Sequence, residues 1–194
     1  MLKELIEKLE SRIELPIEVH EIADILIDLG YQDEVRFYAV PADQKQIRGA
    51  FHQFTYRPGI YADPQMVALI SYNSNDPIEW QRLICCKELM HLFDRDLERT
   101  DNEEELANFL DKLLGPLSTD DYGLADLMAA KDKMATYQCL PLLMPRAALQ
   151  IARQAVADGQ KTPEQIAEWA RIPVHFINLM LDEQWDTING ALIR

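Results

Sequence analysis

The chain has 194 residues, of which 33 are acidic and 19 basic, and its formal net charge at pH 7 is −14. This acidic balance argues against a free-standing nucleic-acid-binding protein, because contact with phosphates needs a concentrated basic surface. Hydrophobic residues make up 48% of the chain, enough for a core, and no apolar run approaches the length of a membrane span. We therefore expect a cytoplasmic protein that makes no membrane contact.

Two amphipathic helices are predicted at the start of the chain. The first covers 2–13 and has an apolar stripe in place of the features of a signal peptide, and Pro16 breaks the chain after it. The second covers 18–29 and is closed by Gly30, a favoured residue after a helix C-terminus. His20, near the start of this helix, is predicted to be a surface or capping residue.

Three β-strands are predicted next, at 34–40, 50–56 and 66–72. The first is rich in β-branched and aromatic residues, the second alternates in polarity, and the third is continuously apolar. We expect them to form a small mixed or antiparallel sheet that leads directly into a central helix.

The central helix follows the polar loop 73–76, with Asp76 as its predicted N-cap and Pro77 at its first position. Within it, residues 87–91 are Lys-Glu-Leu-Met-His, the HExxH pattern of zinc proteases with lysine in place of the first histidine. Residues four apart lie on one helix face, so two histidines at this spacing bind one metal ion while the glutamate activates a metal-bound water.

The lysine removes half of that metal clamp, because a protonated ammonium has no lone pair to give a metal. The pattern retains Glu88 as a candidate general base and His91 as a candidate metal ligand. A glutamate and a histidine at this spacing also occur by chance on many helices. If the spacing has arisen by chance, the helix has only a structural role, and Lys87 forms an internal ion pair with Glu88.

The second half of the chain is predicted to be helical. The acidic stretch from Asp94 to Glu105 lacks the ligand spacing and central glycine of a calcium loop and is interpreted as solvated. The three cysteines do not suggest a disulfide framework, and a nucleophile–base pair of Cys139 with His91 is not expected. Helices are predicted near 103–114, at 124–140, 146–157 and 163–170, and at about 173–184, with a loop at 117–123.

Three stretches of the chain resemble the ImmA/IrrE family of bacterial and phage metallopeptidase-like proteins. The first is the strand MVALISYN, which in this family runs along the active-site cleft, followed by the motif helix at 80–91. The second is ATYQCLPLLMP at 135–145, similar to the family segment that carries the third metal ligand just before its alanine. The third, at 161–174, resembles the family's helix-turn-helix-like tail.

The resemblance implies a third metal ligand that this chain does not supply plainly. At the matching position it has Met134, with Asp132 two residues earlier, where the family has glutamate. A competing alignment places the ligand at Glu105, but the run that follows the first match also resembles the family, so we favour the first. The candidate metal ligands are thus His91 with a carboxylate from Asp132, Glu105 or Asp94.

The fold implied by the resemblance is α+β, with a zincin-like small sheet packed by helices. Residues 1–145 form the metallopeptidase-like domain, and 146–194 form a helical tail packed on it. The second helix of the helix-turn-helix-like part, at 174–183, is mostly apolar and then acidic. Packing or partner contact is therefore favoured over DNA recognition.

The leading functional hypothesis is a non-catalytic regulator or protein-binding module in bacterial or phage regulation. The resemblance implies a repressor-type protein partner, and zinc, if bound at all, is not expected to be held tightly. One alternative is an active zinc endopeptidase that cleaves a repressor with Glu88 as its base. Another is a DNA-associated regulator acting through 162–184, although direct DNA binding is not expected.

Overall fold

The computed structural model describes residues 1–42, 48–61, 63–94 and 124–193, except for the side chains of 124–128. These residues form an α+β protein in which helices pack around a small sheet, as the sequence predicts. The core joins the sheet residues Ala68 and Ile70 to the apolar faces of helices from both halves of the chain. Among the described residues, no helix is long and apolar enough to cross a membrane.

The two N-terminal helices are α1 (Leu2–Leu9) and α2 (Val19–Asp28). The predicted first helix is too long, because the chain turns after Leu9 and leaves Ile13 46% exposed, without a core to pack against. The predicted role of Gly30 is confirmed. It has φ of +100° and its N–H donates to the carbonyl of Ile27 at 2.9 Å, while Tyr31 N–H donates to the Leu26 carbonyl, which together form a Schellman motif. His20 is exposed, as predicted, and its ring lies 4.5 Å from that of Phe37.

The strands of the described sheet are β1 (Glu34–Val40), β2 (Gly49–Tyr56) and β3 (Gln65–Asn73). Their order is β1-β3-β2, with β1 parallel and β2 antiparallel to β3, so the sheet is mixed. The strand before the motif helix is thus central and paired on both sides. Within the described part of the chain, the edges of the sheet are β1 and β2.

The central helix is α3 (Ile78–Met90), and it continues into a 3₁₀ turn over His91–Phe93. The prediction of Asp76 as N-cap is wrong. Pro77 is the N-cap, and its carbonyl accepts the N–H groups of Trp80 and Gln81 at 2.9 and 3.0 Å. Asp76 is buried, and its backbone carbonyl accepts the Gln81 side-chain amide at 2.7 Å.

Two predicted helices in the second half end earlier than predicted, and a separate helix follows each of them. Pro141 lacks an N–H and its ring would clash with the carbonyl four residues earlier, so the helix that carries Asp132 ends at Gln138. The predicted helix at 173–184 ends at Leu181, and the Arg153 guanidinium donates hydrogen bonds to the carbonyls of Met180 and Asp182 at this end. The helices are α4 (Leu124–Gln138), α5 (Leu140–Leu143), α6 (Arg146–Ala157), α7 (Pro163–Ala170), α8 (Val174–Leu181) and α9 (Trp185–Leu192).

The predicted helix near 103–114 and the loop 117–123 lie outside the described residues. The predicted start of α7 is confirmed, since the Thr162 hydroxyl accepts the Gln165 N–H and the Gln165 side chain accepts the Thr162 N–H. A left-handed Arg171, with φ of 51°, turns the chain into α8. The C-terminal helices contact the rest of the protein, for example through the Gln138 side-chain amide, which donates to the Leu192 carbonyl at 3.0 Å.

Candidate functional site

The three motif residues lie at the C-terminal end of α3. Lys87 and Glu88 belong to its last turn, and His91 is its C-cap residue and the first residue of the 3₁₀ turn. Their side chains are largely shielded from solvent, with exposed fractions of 13%, 4% and 19% respectively. Buried charged groups need partners, because the cost of removing a charge from water is several kcal/mol.

Asp132 of α4 is the principal partner of the motif residues. Lys87 Nζ lies 2.6 Å from Asp132 Oδ1 and 2.9 Å from Glu88 Oε1, so its ammonium connects the two carboxylates. His91 Nε2 lies 3.3 Å from the same Asp132 oxygen and 3.8 Å from Glu88 Oε2. The lysine of the altered motif is therefore held between two acids that also lie within 4 Å of His91.

A second carboxylate fixes the other side of the imidazole. His91 Nδ1 lies 2.6 Å from Asp94 Oδ2, and Lys131 Nζ lies 3.9 Å from the other oxygen of Asp94. With His91 protonated, three cationic groups balance three carboxylates. We call this set of described residues the charged centre: Lys87, Glu88, His91, Asp94, Lys131 and Asp132.

The ionisation of the charged centre follows from this pairing. Burial alone would lower the pKa of His91, but its bonds to Asp132 and Asp94 outweigh burial and raise that pKa to about 9. Burial would likewise lower the pKa of Lys87, yet the charges of Glu88 and Asp132 raise it. For Asp132, burial is overcome by His91 and Lys87, and its pKa is lowered. At neutral pH these three groups are therefore all charged.

Strand β2 closes one side of the charged centre. A Cβ added at Gly49 would lie 2.2 Å from Ile84 Cγ2 and 3.1 Å from Glu88 Oε1, so only glycine fits against α3 here. The ring of Phe51 lies 6.1 Å from that of His91. Strand β2 thus borders the motif residues Glu88 and His91.

A small cleft lies beside the charged centre, between α1, the 3₁₀ turn and α4. It has a volume of about 190 Å³ and is lined by Asp94, Lys131 and Gln138 together with apolar side chains. Met134, which is 41% exposed, lines this cleft, whereas Asp132 contacts His91. Residues two positions apart on an α-helix are separated by about 200° around its axis, so the side chains of Asp132 and Met134 point in different directions. Glu105, the competing candidate ligand, lies outside the described residues.

The donor groups of the charged centre do not fit a zinc ion as they stand. Lys87 Nζ contacts one carboxylate oxygen of Glu88 and one of Asp132, and both ring nitrogens of His91 face carboxylates. Catalytic zinc sites use three protein ligands with free lone pairs. In the described part of the chain, no group of three or more His, Cys, Asp or Glu side chains is arranged to hold a metal ion.

The cysteines offer no nucleophile at this site. Cys85, Cys86 and Cys139 are free and buried. Burial raises the pKa of Cys85 to about 12, with the Glu88 charge as a further cause, so its thiol stays protonated at neutral pH. The ring nitrogens of His91 contact Asp94 and Asp132, and the Cys139 thiol donates to the Thr136 carbonyl at 3.2 Å.

A second polar cluster, which the sequence did not predict, lies at the other end of α3. The Arg48 guanidinium lies 4.3 Å from the centre of the Trp80 ring, which also lies 5.4 Å from the ring of His175 of α8. Asp76 Oδ2 is 4.0 Å from Arg48 Nε, and Asn73 is buried beside it in the same turn. Arg48 directly precedes β2, Asn73 ends β3 and Asp76 lies in the turn before α3, while Trp80 and His175 belong to α3 and α8. No local sequence pattern therefore unites them.

Lys131 is likewise a member of the charged centre that the motif does not indicate. Its only sequence signal is its position beside Asp132 on a predicted helix.

Comparisons of the chain with protein-family models, with curated proteins and with solved structures found no match. The chemistry of the charged centre and of its neighbouring strand therefore carries the functional proposal.

Proposed function

We propose that this protein is a non-catalytic member of the ImmA/IrrE family, with a zincin-like arrangement of sheet and helix, and that it acts as a protein-binding regulator. The observation that carries the proposal is the position of Lys87 Nζ between Glu88 and Asp132, at 2.9 and 2.6 Å. The lysine stands where the HExxH pattern has its first metal-binding histidine. It converts a metalloprotease-like motif into a closed set of ion pairs.

Glu88 is poorly placed for general-base catalysis. A general base must reach the proton it removes within hydrogen-bond distance, directly or through one water. Here the Glu88 side chain is 4% exposed, bonded to an ammonium and covered by β2 at Gly49. This arrangement supports a binding protein over the alternative of an active zinc endopeptidase.

The surface that we propose for the partner is formed by the charged centre and the strand β2 beside it. Gly49 of β2 lies against Glu88, and the Phe51 ring lies 6.1 Å from that of His91. A partner that binds here would therefore contact β2 and the motif residues together.

The helix-turn-helix-like part of the tail supports protein contact rather than DNA contact. Phe176, Ile177 and Met180 of α8 are buried in the core, which uses one face of the helix for packing. The segment that follows α8 carries Asp182 and Glu183, which would repel DNA phosphates. We therefore propose a repressor-type protein partner and no direct DNA binding.

The first experiment measures zinc content and peptidase activity of protein purified without chelator. We expect no stoichiometric zinc and no cleavage of candidate repressor substrates, because Lys87 occupies the carboxylates that zinc would need. Zinc at one equivalent that disappears in a His91→Ala variant would instead establish the metallopeptidase alternative.

The second experiment locates the partner on the sheet by hydrogen exchange. For a partner recovered by affinity capture, we expect binding to slow the exchange of β2 backbone amides. Strand β1, the other edge of the described sheet, is an internal control that should not change. Protection confined to β1 or to α8 would show that the proposed surface is wrong, even if the partner is a repressor.

A further inference from the structure

We infer that Lys87 Nζ is a built-in cation that replaces a metal ion at this site and fastens the end of α3 to α4, so that the fold is complete without metal. The inference goes beyond the proposed function, because it concerns what holds the site together. Its test is made on the free protein and does not depend on whether a partner binds.

The geometry gives Lys87 the bridging role of a metal ion. Its ammonium lies within hydrogen-bond distance of one carboxylate on its own helix and one on α4, Glu88 and Asp132. A bound divalent cation joins elements in this way, through oxygen ligands from different parts of the chain. Here the joining group is covalently part of α3, so no free ion is needed.

The charges show why the position must hold a cation. Without the ammonium, Glu88 and Asp132 would remain buried with the His91 imidazolium as their nearest cationic group. A buried carboxylate that loses its partner carries an uncompensated desolvation cost. Such a pair of acids would attract any small cation that fits the space left by the lysine side chain.

The test compares thermal unfolding of wild type with three variants, each in EDTA and in increasing Zn²⁺ or Mn²⁺. Lys87→Ala removes the ammonium and leaves space, and Lys87→Met removes it but fills the space with an apolar chain. Lys133→Ala removes the same charge from α4 outside the charged centre and is the matched control.

We expect the Tm of wild type and of Lys133→Ala to be the same in EDTA and in metal, within about 2 °C. In EDTA, both Lys87 variants should lose roughly 10 °C, because breaking a buried ion pair costs several kcal/mol and each kcal/mol shifts Tm by about 2–4 °C at this chain length. Added metal should recover at least about half of the loss in Lys87→Ala and little of it in Lys87→Met, since binding to the native state raises stability.

Three results would overturn the inference. A wild-type Tm that falls in EDTA or rises with zinc would mean that the site already takes a metal. A Lys87→Ala variant as stable as wild type would mean that Lys87 fastens nothing. Equal losses in both Lys87 variants without recovery in metal would reduce Lys87 to an ordinary ion pair. Should Lys87→Ala fail to fold, Lys87→Gln replaces it in the same comparison.

Discussion

The two ends of α3 differ in whether the buried polar side chains beside them have hydrogen-bond partners. At its C-terminal end, Glu88 and Asp132 are each bonded to Lys87 within 2.9 Å. At its N-terminal end, Asp76 and Asn73 are also buried, yet within the described part of the chain Asp76 Oδ2 and Asn73 Nδ2 have no hydrogen-bond partner. One helix thus carries a satisfied polar cluster at one end and an incompletely satisfied one at the other.

The difference shows that a nearby cation is not equivalent to a bonded one. Arg48 lies 4.0 Å from Asp76 Oδ2, but its guanidinium is placed over the Trp80 ring instead of forming a direct hydrogen bond with the acid. Charge-assisted hydrogen bonds are roughly twice as strong as neutral ones, and a buried acid without one keeps its desolvation cost. Removing an acid should therefore have very different effects at the two ends.

The largest effect is expected for Asp132→Ala. This change leaves Lys87 and His91 buried with Glu88 and Asp94 as their remaining acids, so we expect a loss of about 3–5 kcal/mol in the free energy of unfolding. Urea unfolding measures it, with Asp24→Ala on the exposed face of α2 as a control that should cost less than about 0.5 kcal/mol. A loss below about 1 kcal/mol for Asp132→Ala would mean that the charged centre contributes no more than a surface cluster.

The pH dependence of stability tests the same end of α3. The pKa of His91 is raised from 6.5 to about 9, so its stabilisation is complete below pH 6.5 and is lost as pH rises through 9. The pKa of Asp132 is lowered from 3.8, so its stabilisation is present above pH 3.8 and is lost as pH falls through the lowered value. The charged centre should therefore stabilise the fold most between about pH 4 and 6.5.

We expect the free energy of unfolding to fall by about 3 kcal/mol between pH 6.5 and 9, at about 1.36 kcal/mol for each unit of pKa difference. Urea unfolding across this range measures the loss, and a His91→Gln variant should lack most of it. The same slope in wild type and in the variant would assign the pH dependence to other groups.

The sequence predicted the local features of α3 better than its long-range partners. Periodicity located the three strands and the helix, and the Lys-Glu-Leu-Met-His pattern marked one end of the charged centre, because both are encoded by residues close in the chain. Only the family resemblance placed Asp132 near His91, and nothing predicted that Arg48 contacts Trp80, because both contacts depend on how separate elements pack. Residue propensity also predicted Asp76 as the N-cap. In the structure Asp76 is buried and Pro77 is the N-cap.

The third prediction is that Lys87 alone prevents the residues at the C-terminal end of α3 from binding zinc. Lys87→His places an imidazole four residues before His91 and releases Asp132, which gives zinc three donor groups. We expect zinc affinity to rise at least about 100-fold over wild type, equivalent to roughly 2.7 kcal/mol, in a competition titration with a zinc-binding dye.

Two further variants identify the third ligand in that background. Adding Asp132→Asn to Lys87→His should remove most of the gain, because the amide loses the carboxylate charge. Adding Met134→Glu should change affinity less than about threefold, since Met134 lines the neighbouring cleft. A large gain from Met134→Glu would instead support the ligand position inferred from the family resemblance.

The smallest effect is expected for Asp76→Asn, at the other end of α3. This change keeps the size of the side chain and removes a buried charge whose Oδ2 has no hydrogen bond among the described residues. It gives up the 4.0 Å attraction to a half-exposed Arg48. The two terms oppose each other, and desolvation is the larger because the acid is buried and the attraction is screened. We expect the free energy of unfolding to change by less than about 1 kcal/mol, towards greater stability.

Urea unfolding of Asp76→Asn, with and without Arg48→Met, measures both terms. A loss above about 1.5 kcal/mol that disappears in the Arg48→Met background would show that Arg48 holds Asp76 as firmly as Lys87 holds Asp132.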